Sequence, residues 1–309
     1  MEFGIDIPTG KEFDAVALGL NAVDHLIVVP HLPAFNTKLE YVSHTIAAGG
    51  QAATAMVALA RLGLRARYIG SVGSDDEGRY QIDSLSSESV DVSKLAVIEG
   101  ADTQSAFILI DQPTGERTIV WRRDARLALD PDRVDRASVT SGRVLHLDGH
   151  DTAAAIRAAA YAREAGIPVV LDIDNIYEGA DRLLPLVDFL ISSGSFPERM
   201  TGISDLRSAL KTLASTTGAR LVGATLGSQG VLAYFRGEFI HTPGFSIDCK
   251  DTSGAGDAFH GGFIYGLLEA YSVEETFRFA NAVAALKCRK LGARTALPMI
   301  EEVNAFLQR

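Results

Sequence analysis

The sequence predicts an α/β fold in which a mostly parallel sheet forms the centre of one large domain. From about residue 143 onward, short apolar runs alternate with amphipathic stretches, which is the pattern of repeated strand–helix–strand units. The predicted strands of this series cover residues 144–147, 169–173, 189–192 and 221–226. Nearer the N-terminus, two stretches alternate as strands do but contain no helix, so a second, smaller sheet is expected.

The predicted helices of the main domain have recognisable ends. Residues 152–165 are rich in alanine and are followed by Gly166, and glycine commonly ends a helix. Ser272 and Glu275 have the spacing of a capping box, which predicts a helix from residue 273 towards Cys288. A further helix is expected over residues 258–270, directly after a segment rich in glycine.

The smaller sheet is expected from two insertions, at about residues 25–46 and 101–123. Within the second insertion, residues 105–110 and 117–122 flank a Gln-Pro-Thr-Gly turn at 112–115, which predicts a β-hairpin. Such a sheet is expected to act as a lid, and its exposed apolar face favours a homodimer. The main domain would extend over residues 12–309, with residues 1–11 as a loose tail.

The composition argues against several classes of protein. A chain of 309 residues that is 47% hydrophobic can bury a large core. Its net charge of -10 argues against affinity for nucleic acid or an anionic membrane. No apolar run approaches the roughly 18 residues of a membrane helix, and residues 1–11 lack the features of a secretory signal, so we expect a cytoplasmic protein. Cys249 and Cys288 are too few for a disulfide framework and are predicted to be buried free thiols.

The strongest local signal is the segment 251–257, Asp-Thr-Ser-Gly-Ala-Gly-Asp, which directly precedes an apolar helix. Small residues let a ligand approach the backbone, and the amides at a helix start favour a phosphate that develops negative charge. Asp257 lies in the predicted first turn, where it could accept a proton from a hydroxyl group. For a bare Gly-x-Gly-Asp, a loop followed by a helix N-cap would be the better interpretation.

Two common nucleotide-binding motifs are missing from the sequence. Phe259 stands where the dinucleotide-binding pattern Gly-x-Gly-x-x-Gly needs its third glycine, and the segment lies near the C-terminus rather than in a first strand–helix–strand unit. The sequence also contains no Gly-x-x-x-x-Gly-Lys-Ser/Thr loop. These observations disfavour a dinucleotide-dependent oxidoreductase and a P-loop kinase.

Residues 251–263 closely resemble the C-terminal signature of the ribokinase-like, or PfkB, carbohydrate kinases. Their N-terminal signature is matched by Gly-Gly-Gln-Ala-Ala-Thr at 49–54 and by residues 68–78, and the resemblance extends from residue 19 to residue 296. It implies a three-layer α/β sandwich with a mostly parallel central sheet and a small β-sheet lid. It also implies a kinase that uses ATP and Mg²⁺ to phosphorylate a hydroxymethyl group of a sugar or sugar-like molecule.

The resemblance implies a catalytic site in which Asp257 is the general base. The transferred phosphoryl group would be stabilised by the backbone amides of Gly254, Ala255 and Gly256. The acceptor would lie beside five residues, namely Asp24, Asn21, Gly49, Gly50 and Thr54. Asp24 could bind two hydroxyl groups through its two oxygens. Thr54 departs from the family, which often has asparagine at this position.

Arg123 is a further candidate for the acceptor site. It stands with Trp121 and Arg122 at the end of the second lid strand, where it could cover the acceptor or contact an acidic group on it. A solvated strand end explains these residues equally well.

The nucleotide and metal sites implied by the resemblance lie in the C-terminal half. The nucleotide would contact Thr225, Gly227, Gly230, Asn281 and Ser195, although composition alone predicts a hairpin turn for 225–230 and a helix surface for Asn281. Glu198 would act on magnesium through water. A potassium ion would be held by four residues, namely Asp251, Ser253, Gly292 and Thr295.

The sequence leaves the acceptor open, because specificity depends on pocket residues that are far apart in the chain. A nucleoside kinase of the same fold is the main alternative to a sugar kinase, and kinases of phosphosugars or sugar acids also fit. A non-catalytic sensor of a sugar or nucleotide would be a different class of protein. The intact Asp257 and its glycines argue against a sensor.

Overall fold

The computed structural model describes residues 1–308 of the chain. Its strands, in chain order, are β1 Phe13–Leu18, β2 Ala22–Val29, β3 Ser43–Gly49, β4 Ala66–Gly73, β5 Asp91–Ile98, β6 Ser105–Asp111, β7 Arg117–Arg122, β8 Gly142–Leu147, β9 Val169–Ile173, β10 Phe189–Ser193, β11 Leu221–Thr225, β12 Val231–Phe235 and β13 Glu238–Thr242. Its α-helices are α1 Gln51–Arg61, α2 Asp76–Ser87, α3 Arg136–Val139, α4 Thr152–Glu164, α5 Ala180–Leu183, α6 Phe196–Thr201, α7 Leu206–Thr217, α8 Ala255–Leu268, α9 Val273–Lys287 and α10 Ile300–Leu307.

The main sheet has nine strands in the order β13-β12-β11-β10-β9-β8-β1-β4-β5. The seven strands from β11 to β5 run parallel, and the hairpin β12–β13 adds two antiparallel strands at one edge. Helices cover both faces, because alternate residues of β1 point to opposite sides of the sheet. Ala15 and Ala17 belong to the apolar core that includes residues of α1, α8 and α9, whereas Val16 and Leu18 belong to the core that includes residues of α4 and α7. The predicted three-layer α/β fold with a mostly parallel central sheet is therefore confirmed.

The second sheet has four strands in the order β3-β2-β6-β7. The pair β2–β6 is parallel, and β3 and β7 add antiparallel strands at the two edges. Its apolar core is small and includes Leu26, Ala106 and Ile108. These strands fall mainly within the two insertions expected to form a small sheet, and β6 and β7 lie on either side of the predicted turn.

The N-terminal segment is packed against the main domain instead of being loose. Residues 1–11 form no helix or strand, but the Phe3 side chain is buried edge-on against Phe189 and Phe263. The backbone carbonyl of Met1 also accepts a hydrogen bond from the amide of Val273 at the start of α9. The expectation of a loose tail was wrong because one aromatic residue gives this polar segment an anchor in the core.

The parallel strands direct their carboxyl ends towards one edge of the sheet, where ligands bind in open α/β folds. Asp172 of β9, Ser193 of β10 and Thr225 of β11 all line a cavity at this edge. Within residues 1–308, none of the helices combines the length and the hydropathy that a membrane crossing requires.

Candidate active site

Two cavities meet at the loop that precedes α8. The larger, of about 640 Å³, lies between the small sheet and the carboxyl ends of the main strands. The smaller, of about 310 Å³, lies between the β11–β12 turn, residues 244–249 and α9. Thr252, Ala255 and Gly256 line both cavities. A group bound at this loop would therefore be reached from either side.

The start of α8 presents free backbone amides to the junction. Gly254 has φ +74, and a Cβ at this position would lie 2.6 Å from the Cβ of Ala293, so glycine is required both for the conformation and for the packing. Within residues 1–308, the amides of Gly254, Gly256 and Asp257 have no hydrogen-bond acceptor. The Ala255 amide differs, since it bonds the Thr252 carbonyl at 3.2 Å. Of the three predicted amides, only those of Gly254 and Gly256 are available to an anion.

Asp257 lies in the first turn of α8 and lines the larger cavity. Burial, with a smaller contribution from the charge of Asp172, raises the pKa of its carboxyl group to about 7, and His260 opposes this rise. A carboxyl group with a pKa near neutrality is well matched to accept a proton from a hydroxyl group.

Asp172, which sequence reasoning missed, lies on β9 and lines the same cavity as Asp257. It is only 5% exposed, and burial raises its pKa well above the ordinary value. Its carboxylate lies 3.3 Å from Nδ1 of His260, whose Nε2 faces the Ile191 carbonyl. A single acidic residue near the carboxyl end of an apolar parallel strand was the signal that could have identified it.

Asp24, at the start of the small sheet, also lines the larger cavity. Burial raises the pKa of its carboxyl group to about 7, although the Arg294 guanidinium opposes this. Gly49 lies directly against it, because a Cβ at Gly49 would overlap the Asp24 carboxylate. Gly50 lines the cavity with φ +94, and a Cβ there would overlap the backbone of Asn21. Gly49 therefore lets the chain pass close to Asp24, and Gly50 lets it pass close to the backbone of Asn21.

Asn21 and Thr54 do not line either cavity. The Asn21 side chain points into the protein, where its Nδ2 donates to the Tyr68 hydroxyl at 2.7 Å and to the Ser71 carbonyl at 3.1 Å. Thr54 is fully buried within α1, and its hydroxyl accepts a hydrogen bond of 3.5 Å from Arg294. Their assignment to the acceptor site is corrected, since both side chains are engaged in the interior.

Arg123 is also turned away from the cavity. Its guanidinium binds both carboxylate oxygens of Asp151, at 3.0 and 2.8 Å, and donates to the Leu127 carbonyl. The assignment of Arg123 to the acceptor is corrected, because its donors are used to anchor the end of the small sheet. Arg117, at the other end of β7, lines the larger cavity instead and donates to the Thr252 hydroxyl.

An aromatic wall borders the larger cavity. Trp121 of β7 lies edge-on to His150, with ring centroids 6.0 Å apart, and His150 lies 5.3 Å from Tyr177. All three residues line the cavity. Aromatic faces of this kind can pack against the apolar face of a sugar ring or against a heteroaromatic base.

The smaller cavity brings together four of the predicted nucleotide-binding residues, namely Thr225, Gly227, Gly230 and Asn281. Asn281 is not on the helix surface, because its Nδ2 donates to the carbonyls of Thr242 and Pro243 at 3.0 and 3.1 Å. Its amide thereby shapes the cavity wall. Phe245, Ile247 and Phe259 contribute apolar faces, which suit a flat heteroaromatic ring.

Neither Ser195 nor Glu198 lines either cavity. Both are exposed at the start of α6. Ser195 is thus separate from the other predicted nucleotide-binding residues, whereas a role for Glu198 through water stays a prediction. Within residues 1–308, no group of three or more His, Cys, Asp or Glu residues could hold a metal ion by itself.

The four residues predicted to hold a monovalent cation lie together beside the α8 loop. The buried Asp251 carboxylate accepts hydrogen bonds of 2.8 Å from the amides of Ser253 and Gly292. Thr295 lies against Gly292, since a Cβ at Gly292 would be 2.7 Å from its hydroxyl oxygen. Nearby, the free thiols Cys249 and Cys288 line the smaller cavity, and burial raises the pKa of Cys288 to about 11.

A buried carboxylate beside free helix-start amides, with a cavity on each side, defines the class of small-molecule phosphotransferases. The model of the pfkB family of carbohydrate kinases matches residues 14–300. The ribokinase of Haemophilus influenzae is 31% identical over 298 residues, which cover 94% of this chain and 97% of the relative. The ATP-dependent ribose-1-phosphate kinase of Halopiger xanaduensis is 33% identical over 92% of this chain and 94% of the relative.

A solved structure from Agrobacterium tumefaciens superposes with a TM-score of 0.89 at 27% identity, covering 96% of this chain and 99% of that one. The chain belongs to the pfkB family and is a carbohydrate kinase. The resemblance seen in its two signatures is thereby confirmed.

Proposed function

We propose that the protein transfers the γ-phosphoryl group of ATP to a hydroxymethyl group of a sugar or sugar-like molecule, with Asp257 as the general base. The observation that carries this proposal is the position of the α8 loop. It lines both cavities, so a nucleotide on one side and an acceptor on the other would meet at the free amides of Gly254 and Gly256.

The smaller cavity is proposed to hold the nucleotide. Its apolar lining between the β11–β12 turn and α9 suits the adenine ring, and the phosphates would extend to the start of α8, where the helix dipole favours negative charge. ATP is the donor named for the relative in Halopiger xanaduensis.

Magnesium is proposed to bind through the phosphates of ATP. Mg²⁺ retains several waters and typically uses only one or two protein carboxylates, so a complete protein cage is not required. Asp172 and Asp174 line the larger cavity and could hold its waters, and Glu198 could act at longer range. The bound ion would neutralise charge on the phosphates.

The larger cavity is proposed to hold the acceptor. The two oxygens of Asp24 would accept hydrogen bonds from two sugar hydroxyls, which would favour its ionised form. Asp257 would take the proton of the reacting hydroxyl as that oxygen attacks the γ-phosphorus and the bond from this phosphorus to the oxygen of the leaving ADP breaks. The amides of Gly254 and Gly256 would stabilise the charge of the transferred group. The aromatic wall of Trp121, His150 and Tyr177 also suits a nucleoside, which is the second candidate acceptor.

The small sheet is proposed to act as a lid over this reaction. Ile108, Ile119 and Trp121 of β6 and β7 line the larger cavity, and Arg117 reaches across to Thr252 in the α8 loop. A closed lid would exclude water, which would otherwise compete with the acceptor for the phosphoryl group.

The outer face of the small sheet is proposed to pair with a second copy of the chain. Ile46, His25, Phe107 and Val120 are cross-strand neighbours on the face away from the cavity. The three apolar side chains are each at least half exposed, at 52%, 51% and 62% for Ile46, Phe107 and Val120. Light scattering should give the mass of a dimer, and Val120→Asp should give a monomer; a monomeric parent protein would contradict this pairing.

The function is tested by measuring Mg²⁺-dependent ADP release from ATP with a panel of sugars, sugar acids, phosphosugars and nucleosides. Stimulation by one class of acceptor, with a phosphorylated product identified by mass spectrometry, is the expected result. A preference for nucleosides would select the second candidate. Tight binding of an acceptor without any turnover would contradict the kinase and favour a sensor.

A further inference from the structure

A buried lysine lies against the aspartate that begins the α8 loop. Lys287 is the last residue of α9 and its side chain is fully buried. Its Nζ donates a hydrogen bond of 2.8 Å to the Asp251 carbonyl oxygen and lies 3.8 Å from Oδ2 of the same residue. The ammonium group therefore faces both the backbone and the side chain of Asp251.

Asp251 in turn fixes two segments of backbone around the site. Its carboxylate accepts from the amide of Ser253, which leads into Gly254, and from the amide of Gly292, in the loop that packs against Gly254. A fully buried carboxylate is stable only if its charge is balanced and its oxygens are hydrogen-bonded. Lys287 supplies the balancing charge, and the two amides supply the hydrogen bonds.

Asp251 is also one of the four residues that were predicted from the sequence to bind a monovalent cation. The arrangement does not fit an additional ion, because the Asp251 carbonyl already accepts from an ammonium group and its carboxylate already has a cationic partner. A potassium ion placed here would be repelled by Lys287 at short range. The Gly292 amide is turned towards Asp251 as a donor.

We propose that Lys287 is a positioning residue whose ammonium group takes the place of a monovalent cation, so that the kinase works without potassium or sodium. The ammonium group holds Asp251, and Asp251 holds the turn that directs the Gly254 and Gly256 amides at the transferred phosphoryl group. This inference rests on the proposed phosphoryl transfer at the α8 loop. It goes beyond that function, because it states that a side chain of the protein, and not a bound ion, supplies the positive charge at this loop.

The first test compares the unsubstituted protein in potassium chloride and in N-methylglucamine chloride at equal ionic strength, with ATP as a salt free of alkali metal. We expect equal rates in the two salts and equal midpoints of thermal unfolding. Activity that appears only with potassium, or a midpoint raised specifically by potassium, would overturn the inference. No phosphorylation in either salt would instead contradict the proposed function, so the two failures are distinguishable.

The second test is Lys287→Ala, which leaves a cavity and an unpaired Asp251 carboxylate. We expect its rate in N-methylglucamine chloride to fall roughly 10- to 100-fold, which is the usual effect of removing a residue that orients a functional group without contacting the ligand. Potassium, ammonium or methylammonium should restore much of this rate and raise the unfolding midpoint, because each is small enough to enter the cavity. A folded variant that keeps its full rate, or one that no small cation restores, would overturn the inference.

Two further variants control for charge and for folding. Lys290→Met removes an exposed lysine three residues further along and should leave the rate and its salt dependence unchanged. Lys287→Arg keeps the charge and should stay independent of potassium, so a potassium requirement in this variant counts against the proposal. If Lys287→Ala does not fold, the salt comparison on the unsubstituted protein still decides the question.

Discussion

The carboxylate of Asp172 lies 3.3 Å from Nδ1 of His260, one turn along α8 from Asp257. A second buried acid, at the carboxyl end of β9, thus lines the same cavity as the proposed base. Burial has the largest effect on the pKa of Asp257, and the charge of Asp172 adds to it. Asp174 and Asp148 also raise the pKa of Asp257, whereas His260 lowers it.

The pH dependence of the reaction should report the ionisation of Asp257. The base must be deprotonated to accept a proton, so kcat at a saturating acceptor, whose hydroxyls would keep Asp24 ionised, should rise through a pKa of about 7. Asp172→Asn removes one negative neighbour and should move this rise to lower pH. This shift would be seen in rates measured from about pH 5 to 9, the range in which a buried carboxyl group titrates. If the rise in rate stays at the same pH in Asp172→Asn, or moves to higher pH, the charge of Asp172 does not raise the pKa of Asp257.

The stability of the protein should depend on Asp257 in the opposite direction. Its pKa is about 7 in the folded state against an ordinary value of 3.8, so the folded state binds more protons and the free energy of unfolding falls as the pH rises between these values. The asparagine of Asp257→Asn cannot ionise, so this substitution should stabilise the protein at about pH 8, which is one unit above the folded-state pKa. It should have little effect below pH 3.8, where the carboxyl group is protonated in both states. Urea unfolding at both pH values measures this, and a destabilised variant at the higher pH would contradict the assignment of a raised pKa.

Asp24→Asn should weaken the binding of the acceptor without affecting the binding of ATP. Hydrogen bonds to a charged group contribute about 1.5–3 kcal/mol, which corresponds to a loss of about 10- to 100-fold in kcat/KM for the acceptor. The KM for ATP should not change, because Asp24 lines only the larger cavity. Asp76→Asn, whose side chain is 92% exposed, is the control and should behave as the parent protein. An equal effect on both substrates would count against the acceptor role.

Arg123→Met should affect stability far more than acceptor binding. It leaves the buried Asp151 carboxylate without its partner, and removal of one member of a buried ion pair costs about 3–5 kcal/mol. Arg122→Met is the neighbouring control, because its pairing with Asp102 is exposed and should contribute about 0–1 kcal/mol. A stable Arg123→Met variant with a raised acceptor KM would restore Arg123 to the acceptor site.

The sequence predicted regular elements well where one pattern determined them. The apolar run of β9 and the capping box before α9 appear in the structure at the predicted positions, because each depends on neighbours in the chain. Phe3 was missed, since nothing close to it in the sequence indicates that its ring packs against Phe189 and Phe263.

The site could be predicted only where a motif fixes the backbone. Asp257 and Gly50 line the larger cavity as expected, because each directly follows a glycine in a motif that determines the course of the chain. Asn21, Thr54 and Arg123 do not, because the direction of each side chain depends on a distant partner: Tyr68, Arg294 and Asp151 respectively. Lys287 was missed for the same reason, since a charged residue in a helix is normally at its surface.

The most direct test of the account is the rate of acceptor phosphorylation by Asp257→Asn in a single turnover, with the binding of MgATP measured separately by calorimetry. Loss of a general base should lower the rate by about 10²–10⁴ while MgATP still binds with the affinity of the parent protein. A variant that phosphorylates its acceptor at the parent rate would contradict the central claim that Asp257 is the base at the junction of the two cavities.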